Sequence, residues 1–233
     1  MATGSTKKTS SVGAATGKRK TTPKRAGRTR KPRAAGSGAA TPYHHGALRD
    51  ALLKAAETVL ERDGLAGLTL RAVAREAGVS HAAPTHHFGD LTGLISELAA
   101  IGFRRFNAAM AAAPRPAGAV AYVRFAQAHP GLYGLMFRTE RLDRTRPALR
   151  EAASASFAGL AGAVGASRHE HISAAALTLE QGAAIARAWS LVHGFTMLLL
   201  DGRLSDVLRR MPEGTDVETL LSAMLTAHLD RVC

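Results

Sequence analysis

The 233-residue sequence contains a single cysteine, Cys233. One cysteine cannot form an intramolecular disulfide or a cysteine-based zinc cluster, and we expect a reducing cytoplasm as its compartment. The sequence has no Gly-rich phosphate loop, no Gly-x-Ser-x-Gly turn and no pair of carboxylates on one helix face. Nothing in it therefore indicates an enzyme or calls for a cofactor.

Acidic residues are missing from residues 1–40, which hold 11 of the 31 lysines and arginines. The rest of the chain has 20 bases against 18 acids, so most of the formal net charge of +13 belongs to this first segment. It is also nearly free of large apolar residues, and ordering it would cost backbone entropy without a compensating core. We predict a disordered basic tail over residues 1–40, which either lies along DNA phosphates or keeps the protein soluble.

Long uninterrupted apolar runs are also missing. The most apolar stretch, residues 183–200, contains Arg187 and His193 and is better explained as a long buried helix than as a membrane span. The N-terminal stretch lacks the apolar segment of a secretory signal. We therefore expect a cytoplasmic protein without a membrane partner. No stretch shows sustained strand alternation, which favours an all-α fold.

What the sequence does contain is helical periodicity. Apolar residues recur at helical spacing over residues 45–60, and the run stops at Asp63-Gly64. A second, short helix is predicted to begin after Thr69 as N-cap and to end at Gly78. A third is predicted to start at Ser80 as N-cap. Two short helices joined by a glycine-containing turn after a longer helix form the pattern of a helix-turn-helix domain, here within residues 41–90; by spacing alone, a tight corner between two helices without DNA binding is the alternative.

The remainder, residues 91–233, is predicted to be a second helical domain. Asp90 is a suitable N-cap for a fourth helix that ends before Pro114. Further helices are predicted at about residues 117–128, 130–138, 146–165, 173–200 and 216–231.

The helix-turn-helix segment resembles the tetracycline-repressor-like (TetR/AcrR) family of bacterial transcription regulators. The resemblance covers residues 45–106 and rests on Leu68–Ala74, Ala77–Ser80 and His87-Phe88. The C-terminal half is similar to the branch of that family whose sensor domain carries a Trp-His-Gly signature. The matching residues here are Ala128–Pro130, Trp189 and His193-Gly194.

The resemblance implies a DNA site and an effector site. The recognition helix would run from Ser80 to His87. The DNA-binding candidates are Arg49, Thr69, Arg71, Ser80, His81, Ala82, Ala83, Thr85, His86 and His87. Thr85 replaces the family's usual phosphate-contacting tyrosine and can still donate a hydrogen bond, whereas Leu91, in place of a lysine, cannot. The candidates for lining an effector pocket are Tyr122, Phe125, Tyr133, Phe137, Trp189 and His193; a plain packed core is the alternative for each.

The charge and histidine content of residues 41–90 limits which side chains can bind DNA phosphates or a metal ion. Residues 41–90 contain five bases and six acids, and five of the chain's ten histidines. Adjacent histidines on a helix point about 100° apart and seldom chelate one ion, so we predict no metal site at His86-His87 or at His169 and His171. Arg49 and Arg71 are phosphate-clamp candidates, with a plain solvated surface as the alternative.

Together these patterns predict a homodimeric, ligand-responsive DNA-binding regulator. The resemblance implies a repressor of a palindromic operator that a small apolar or amphipathic molecule releases. The dimer is expected to form through the last two long helices, over the apolar residues Leu191, Phe195, Leu198, Leu199, Leu220, Leu221, Met224 and Leu225. The alternative is a nucleoid-type architectural protein in which the basic tail does most of the DNA binding.

Overall fold

The computed structural model describes residues 45–114 and 117–227. The α-helices span His45–Gly67 (α1), Leu70–Glu76 (α2), Ala83–Phe88 (α3), Leu91–Ala112 (α4), Gly118–Ala128 (α5), Pro130–Met136 (α6), Pro147–Ser167 (α7), Leu179–Leu200 (α8), Ser205–Leu208 (α9) and Val217–Ala227 (α10). A short 3-10 turn lies at Thr139–Arg141. The described ranges hold no strand, so the all-α prediction is confirmed. The predicted basic tail lies outside them.

The local signals that bound the first two helices act near the predicted positions, although α1 continues past its predicted end at Asp63-Gly64 to Gly67. Gly64 interrupts α1 with a φ of 68°, a left-handed conformation that favours glycine. The Thr69 Oγ1 accepts a hydrogen bond from the Ala72 N–H at 3.1 Å and caps α2. Gly78 has a φ of 66° and turns the chain toward α3. These three residues fix the relative directions of α1, α2 and α3.

The recognition helix is shorter than the sequence predicts. It begins at Ala83, not at Ser80, and ends at Phe88. The Ser80 Oγ accepts from the Ala82 N–H at 3.3 Å, so it stabilises the turn that precedes α3. Pro84 lies in the first helical turn, where its missing N–H costs no intrahelical hydrogen bond and its fixed φ suits a helix start. The predicted N-cap role of Ser80 in α3 is therefore wrong.

The helices of the C-terminal half follow the predicted order with shifted ends. Asp90 caps α4 by accepting from the Gly93 N–H at 2.7 Å, as predicted. The long apolar helix starts at Leu179 instead of residue 173, because Thr178 and Gln181 form a reciprocal capping box there. Its end is confirmed by Gly202, which has a φ of 71°. The predicted end of the last helix, at 231, lies outside the described residues.

The main hydrophobic core runs through both predicted domains. It contains α1 residues such as Leu52, the α3 residue Phe88, α4 residues such as Leu94, and Tyr133 and Leu149 from the helices that follow. The helix-turn-helix segment and the first part of the C-terminal half therefore share one buried cluster. The predicted boundary between residues 90 and 91 stays a prediction.

The long helix α8 is less buried than expected. Among the described residues, α8 is the one helix that is long and apolar enough to cross a membrane. Its most apolar 18-residue stretch has a mean hydropathy of 1.4, yet only 22% of that stretch is buried. It packs on α5 and α7, as a helix of a globular domain does. The expectation of a buried helix is wrong, because the neighbouring helices cover only one side of α8. Leu198, on the uncovered side of α8, is 44% exposed.

Two of the residues predicted to face a second copy lie inside the chain. Phe195 of α8 is 5% exposed and Leu221 of α10 is fully buried. Both belong to a small cluster with Val123 of α5 and Leu204, and neighbouring Leu199, Leu220, Met224 and Leu225 pack against that cluster. Helical periodicity identified the apolar face of α10 correctly, but that face covers α5 and α8 of the same chain.

Candidate DNA interface and effector core

The recognition helix α3 and the turn before it present one exposed face. His81, Ala82, Thr85 and His86 are exposed, whereas Pro84 and Phe88 are buried against the core. This alternation follows from the helical period, since residues four apart lie on the same face. Histidine and threonine side chains on that face can donate hydrogen bonds to bases and phosphates. The structure therefore brings four of the predicted DNA contacts together.

The other predicted contacts lie around this face. Thr69 begins α2 with its hydroxyl used as a cap, and Arg71 is exposed in the first turn of the same helix. Ser80 is exposed in the turn. Ala83 and His87 are half-buried, and the His87 ring contacts the rings of His86 and Phe88. The half-buried members, Ala83 and His87, therefore serve packing as well.

Arg49 is engaged within the chain. Its Nη2 lies 2.7 Å from the Glu97 Oε2 of α4, and its guanidinium stands 5.4 Å from the centre of the Phe88 ring. An arginine held by a carboxylate and an aromatic ring joins α1 to α3 and α4. Its role at a phosphate stays a prediction, and in the free protein its contacts stabilise the helix-turn-helix domain.

Sequence reasoning missed Arg146, which precedes α7. Its Nη2 donates to the Phe88 carbonyl at the end of α3 at 3.3 Å, and its Nη1 lies 3.9 Å from Glu97 Oε1. A cation at a helix C-terminus meets the negative end of the helix dipole. The C-terminal half therefore touches the recognition helix directly. No local pattern reveals this, because the partners are 58 residues apart.

Several of the remaining charges of the helix-turn-helix domain are paired. Arg62 of α1 contacts Asp63 and Glu76 at 2.9 Å each. Hydrogen bonds to these two carboxylates raise the pKa of Arg62, and the same contact lowers the pKa of Asp63. Glu57 of α1 pairs with Arg105 of α4. These pairs fix helix positions and add little positive charge for DNA.

The predicted effector residues include a hydrogen-bonded polar group inside the aromatic core. The hydroxyls of Tyr133 and Tyr122 lie 2.7 and 2.9 Å from the His193 Nδ1, and 3.1 Å from each other. Tyr133 is fully buried. Burial raises the pKa of both tyrosines and lowers the pKa of His193, because it disfavours the charged forms. The trio is therefore neutral near pH 7.

The apolar members of the predicted pocket surround this trio. Phe137 stands 4.6 Å from the His193 ring and 6.3 Å from the Trp189 ring, measured between ring centres. Phe125 is buried beneath Phe106, 5.4 Å away by the same measure. Trp189 is 42% exposed, so the aromatic group reaches the surface there. The rings pack against one another, and a ligand would have to move them.

A second contact that the sequence did not reveal links α1 to this core. The Glu61 carboxylate accepts from the N–H groups of Gly131 and Leu132, in the first turn of α6, at 2.9 Å each. A carboxylate at a helix N-terminus satisfies unpaired donors and meets the positive end of the helix dipole. The same helix carries Tyr133.

The described residues contain no group of three His, Cys, Asp or Glu side chains able to hold a metal ion.

These elements define a class of protein. A three-helix head with an exposed second short helix, joined to a larger helical domain, is the architecture of a helix-turn-helix transcription regulator. Residues 52–98 match the family described as bacterial regulatory proteins, tetR family. Residues 116–228 match tetracyclin repressor-like, C-terminal domain. The chain belongs to the tetR family and is a DNA-binding transcriptional regulator.

Solved structures show the same fold. A protein of unknown function from Rhodococcus sp. RHA1 is 37% identical over 79% of this chain and 95% of its own, with a TM-score of 0.59. SCO4313, assigned a regulatory role, is 22% identical over 79% and 96%, with a TM-score of 0.62. A protein from Shewanella sp. PV-4 assigned to the tetR family is 17% identical over 77% and 97%, with a TM-score of 0.53. Comparison with curated proteins finds no match.

Proposed function

We propose that the protein is a homodimeric repressor which a small apolar or amphipathic molecule releases from a palindromic operator. One observation carries the proposal. The buried Tyr133 of the aromatic trio and Phe88 of the recognition helix belong to one continuous hydrophobic cluster. A molecule that displaces side chains around Tyr133 acts on the packing that positions α3, because a dense core transmits changes of shape. The protein acts in the bacterial cytoplasm, and the proposal includes no catalytic step and no cofactor.

The effector enters beside Trp189. This ring is the exposed end of the aromatic group, and it lies 6.0 Å from the His193 ring between centres. A ligand that reaches the trio must replace the hydrogen bonds among Tyr122, Tyr133 and His193, since buried polar groups left unpaired are costly. The effector is therefore expected to combine an apolar body with at least one hydrogen-bonding group.

Two contacts carry the change from this core to DNA. Glu61 of α1 holds the first turn of α6, which bears Tyr133. Arg146, at the start of α7, holds the last residue of α3. When α6 or α7 shifts on ligand binding, these contacts move the helix-turn-helix domain. Two recognition helices can enter successive major grooves only at a separation of about 34–36 Å, so a modest shift releases the operator.

The exposed side of α8 supplies the dimer contact. An apolar helix with much of its surface uncovered marks an interface, and α8 leaves Ala183, Ala186, Ser190 and Leu198 exposed. α10 exposes Ser222 and Ala223. Small residues permit close approach of helices, so α8 and α10 of two copies can form a four-helix bundle.

Two measurements test the proposal. Light scattering at micromolar concentration should give a particle of twice the 24.4 kDa chain mass; a monomer contradicts the dimer. Molecules screened by a change in Trp189 fluorescence should weaken operator binding, and operator DNA should weaken their binding by the same factor. Tight ligands that all leave operator affinity unchanged would contradict the ligand response.

A nucleoid-type role is the second candidate, because residues 41–90 are not basic and residues 1–40 carry 11 bases. A footprint on promoter and random DNA, with and without residues 1–40, separates the two functions. A regulator protects a discrete promoter segment with or without the tail. An architectural protein protects all sequences equally and only with the tail.

A further inference from the structure

The helix-turn-helix domain offers few free cations to DNA. Residues 41–90 contain five lysines and arginines against six acids. Two of the five, Arg49 and Arg62, are bound to carboxylates within the chain. Proteins gain affinity for DNA by neutralising phosphates and releasing counterions. Cations from another part of the chain, placed beside α3, would complete the interface.

The segment that joins α6 to α7 is rich in arginine. Residues 138–150 contain five arginines against two acids. One of them is Arg146, which is turned inward to Glu97, Asp143 and Phe88. The other four are exposed, and none has a carboxylate partner within the part of the chain that the structure describes: Arg138, Arg141, Arg144 and Arg150.

A buried serine holds this segment against α4. The Asp143 N–H donates to the Ser96 Oγ at 2.8 Å, and Ser96 is fully buried in the second turn of α4. The preceding Leu142 is 8% exposed and belongs to the main core. The Asp143 carboxylate accepts from the Thr145 N–H at 3.0 Å and from its hydroxyl at 2.6 Å. The segment is therefore a fixed turn, not a free loop.

A second anchor joins the turn to the recognition helix. The Arg146 guanidinium reaches the Phe88 carbonyl through a gap beside Gly93. A Cβ on Gly93 would lie 2.0 Å from the Phe88 oxygen and 2.5 Å from the Arg146 Nη2. Any larger residue at 93 would close this gap. The end of α3, the start of α4 and the arginine-rich turn are thus in direct contact.

We propose that Arg141 and Arg144, in the C-terminal half of the chain, contact DNA phosphates that border the groove entered by α3. Arg144 is two residues and Arg141 five residues from Arg146, so their Cα atoms lie at most about 7 Å and about 18 Å from the Arg146 Cα. The major groove is about 12 Å wide, and phosphates line both its edges. An exposed arginine beside the end of a groove-bound helix is within reach of that edge. The inference rests on DNA binding by the helix-turn-helix domain.

The test uses the full chain and the duplex that the wild-type protein selects from a library of genomic fragments. The variant R141A/R144A should reduce the slope of log affinity against log salt by about 3.6 for a dimer on its operator, since four phosphate contacts are lost and each removes about 0.9. Affinity for selected and scrambled duplexes should fall by similar factors, because phosphate contacts carry no sequence information. Phosphate ethylation interference should disappear at discrete positions.

Two further variants serve as controls. R141K/R144K keeps both charges and should keep most of the wild-type salt slope. R168A removes one arginine at the far end of α7, about 30 Å from Arg146 by the length of a 21-residue helix, and should leave the slope unchanged. Circular dichroism establishes that each variant is folded; if R141A/R144A is not, R141E alone is measured in its place.

The possible outcomes distinguish failure of the proposed arginine contacts from failure of DNA binding itself. A folded R141A/R144A protein with the wild-type salt slope overturns the inference while DNA binding stands. A loss of slope in R168A of about half the size expected for R141A/R144A also overturns it, because R168A removes one arginine instead of two and the effect would then be one of net charge. A wild-type chain that selects no duplex overturns DNA binding itself, and the inference with it.

Discussion

Glu61 is expected to stabilise the junction between α1 and α6, and E61A removes that contact. His129, the N-cap residue of α6, supplies no side-chain hydrogen bond, so Glu61 serves the donors of Gly131 and Leu132. Leu132 is fully buried with Glu61 in place, but the Glu61 side chain is itself exposed, so water can reach these donors once the side chain is truncated. The expected cost is that of a lost helix cap, about 0.5–2 kcal/mol. We expect E61A to lower the free energy of unfolding by this amount.

Gly131 provides a second measure of the same contact. A Cβ at this position would lie 2.9 Å from the Glu61 Oε2 and 3.1 Å from the Leu60 carbonyl oxygen. G131A should therefore push the carboxylate away from α6. In the E61A background part of that clash is gone, so G131A should cost less there than in the wild type. A double-mutant cycle measures this difference as a coupling energy.

Urea denaturation followed by circular dichroism, at one fixed protein concentration, gives the required free energies. Glu213 is the matched control, since it is exposed and makes no hydrogen bond or ion pair within the described ranges. E213A should stay within about 0.5 kcal/mol of the wild type. Equal stabilities of E61A and E213A, or a coupling energy of zero with G131A, would refute a structural role for the Glu61 contact.

Two further predictions concern histidines. H81A and H86A should each reduce discrimination between operator and scrambled DNA, by about 1–3 kcal/mol where the ring contacts a base, whereas T85A should weaken binding to the two DNAs similarly. Competition binding measures these affinities. Equal losses on the two DNAs for all three variants would mean that the helix contacts the DNA backbone alone. Burial lowers the pKa of His193 below its ordinary value of 6.5, so the unfolded chain binds a proton that the folded protein excludes. The free energy of unfolding should therefore fall as the pH drops below about 6.5, and H193Q should show a smaller fall in urea titrations. Identical pH dependence in both proteins contradicts this.

Helix boundaries set by neighbouring residues were predictable from the sequence. Thr69, Gly78 and Asp90 act where the sequence places them, because caps and left-handed turns depend on hydrogen bonds within three or four residues. The wrong prediction of Ser80 as the N-cap of α3 has the same local cause. Its hydroxyl can cap either a turn or a helix, and the structure uses it in the turn before Ala83.

Family motifs and helical spacing also located the aromatic core correctly in the chain. They placed Tyr122, Tyr133 and His193 in one candidate group, but only the structure shows the three polar atoms bonded to each other. The outer side of α8 was misjudged, because apolar periodicity indicates a face without indicating what covers it.

The contacts that join the two halves were decided by tertiary structure alone. Arg49 meets Glu97 across 48 residues, Arg146 meets Phe88 across 58, and Glu61 meets Gly131 across 70. Each partner is an ordinary charged or backbone group, and nothing in its neighbours in the sequence identifies it. The pairing follows from the packing of α4, α6 and α7 against the helix-turn-helix domain. The sequence determined which segments form helices, whereas tertiary packing decided which charged side chains are bound within the protein and which stay exposed.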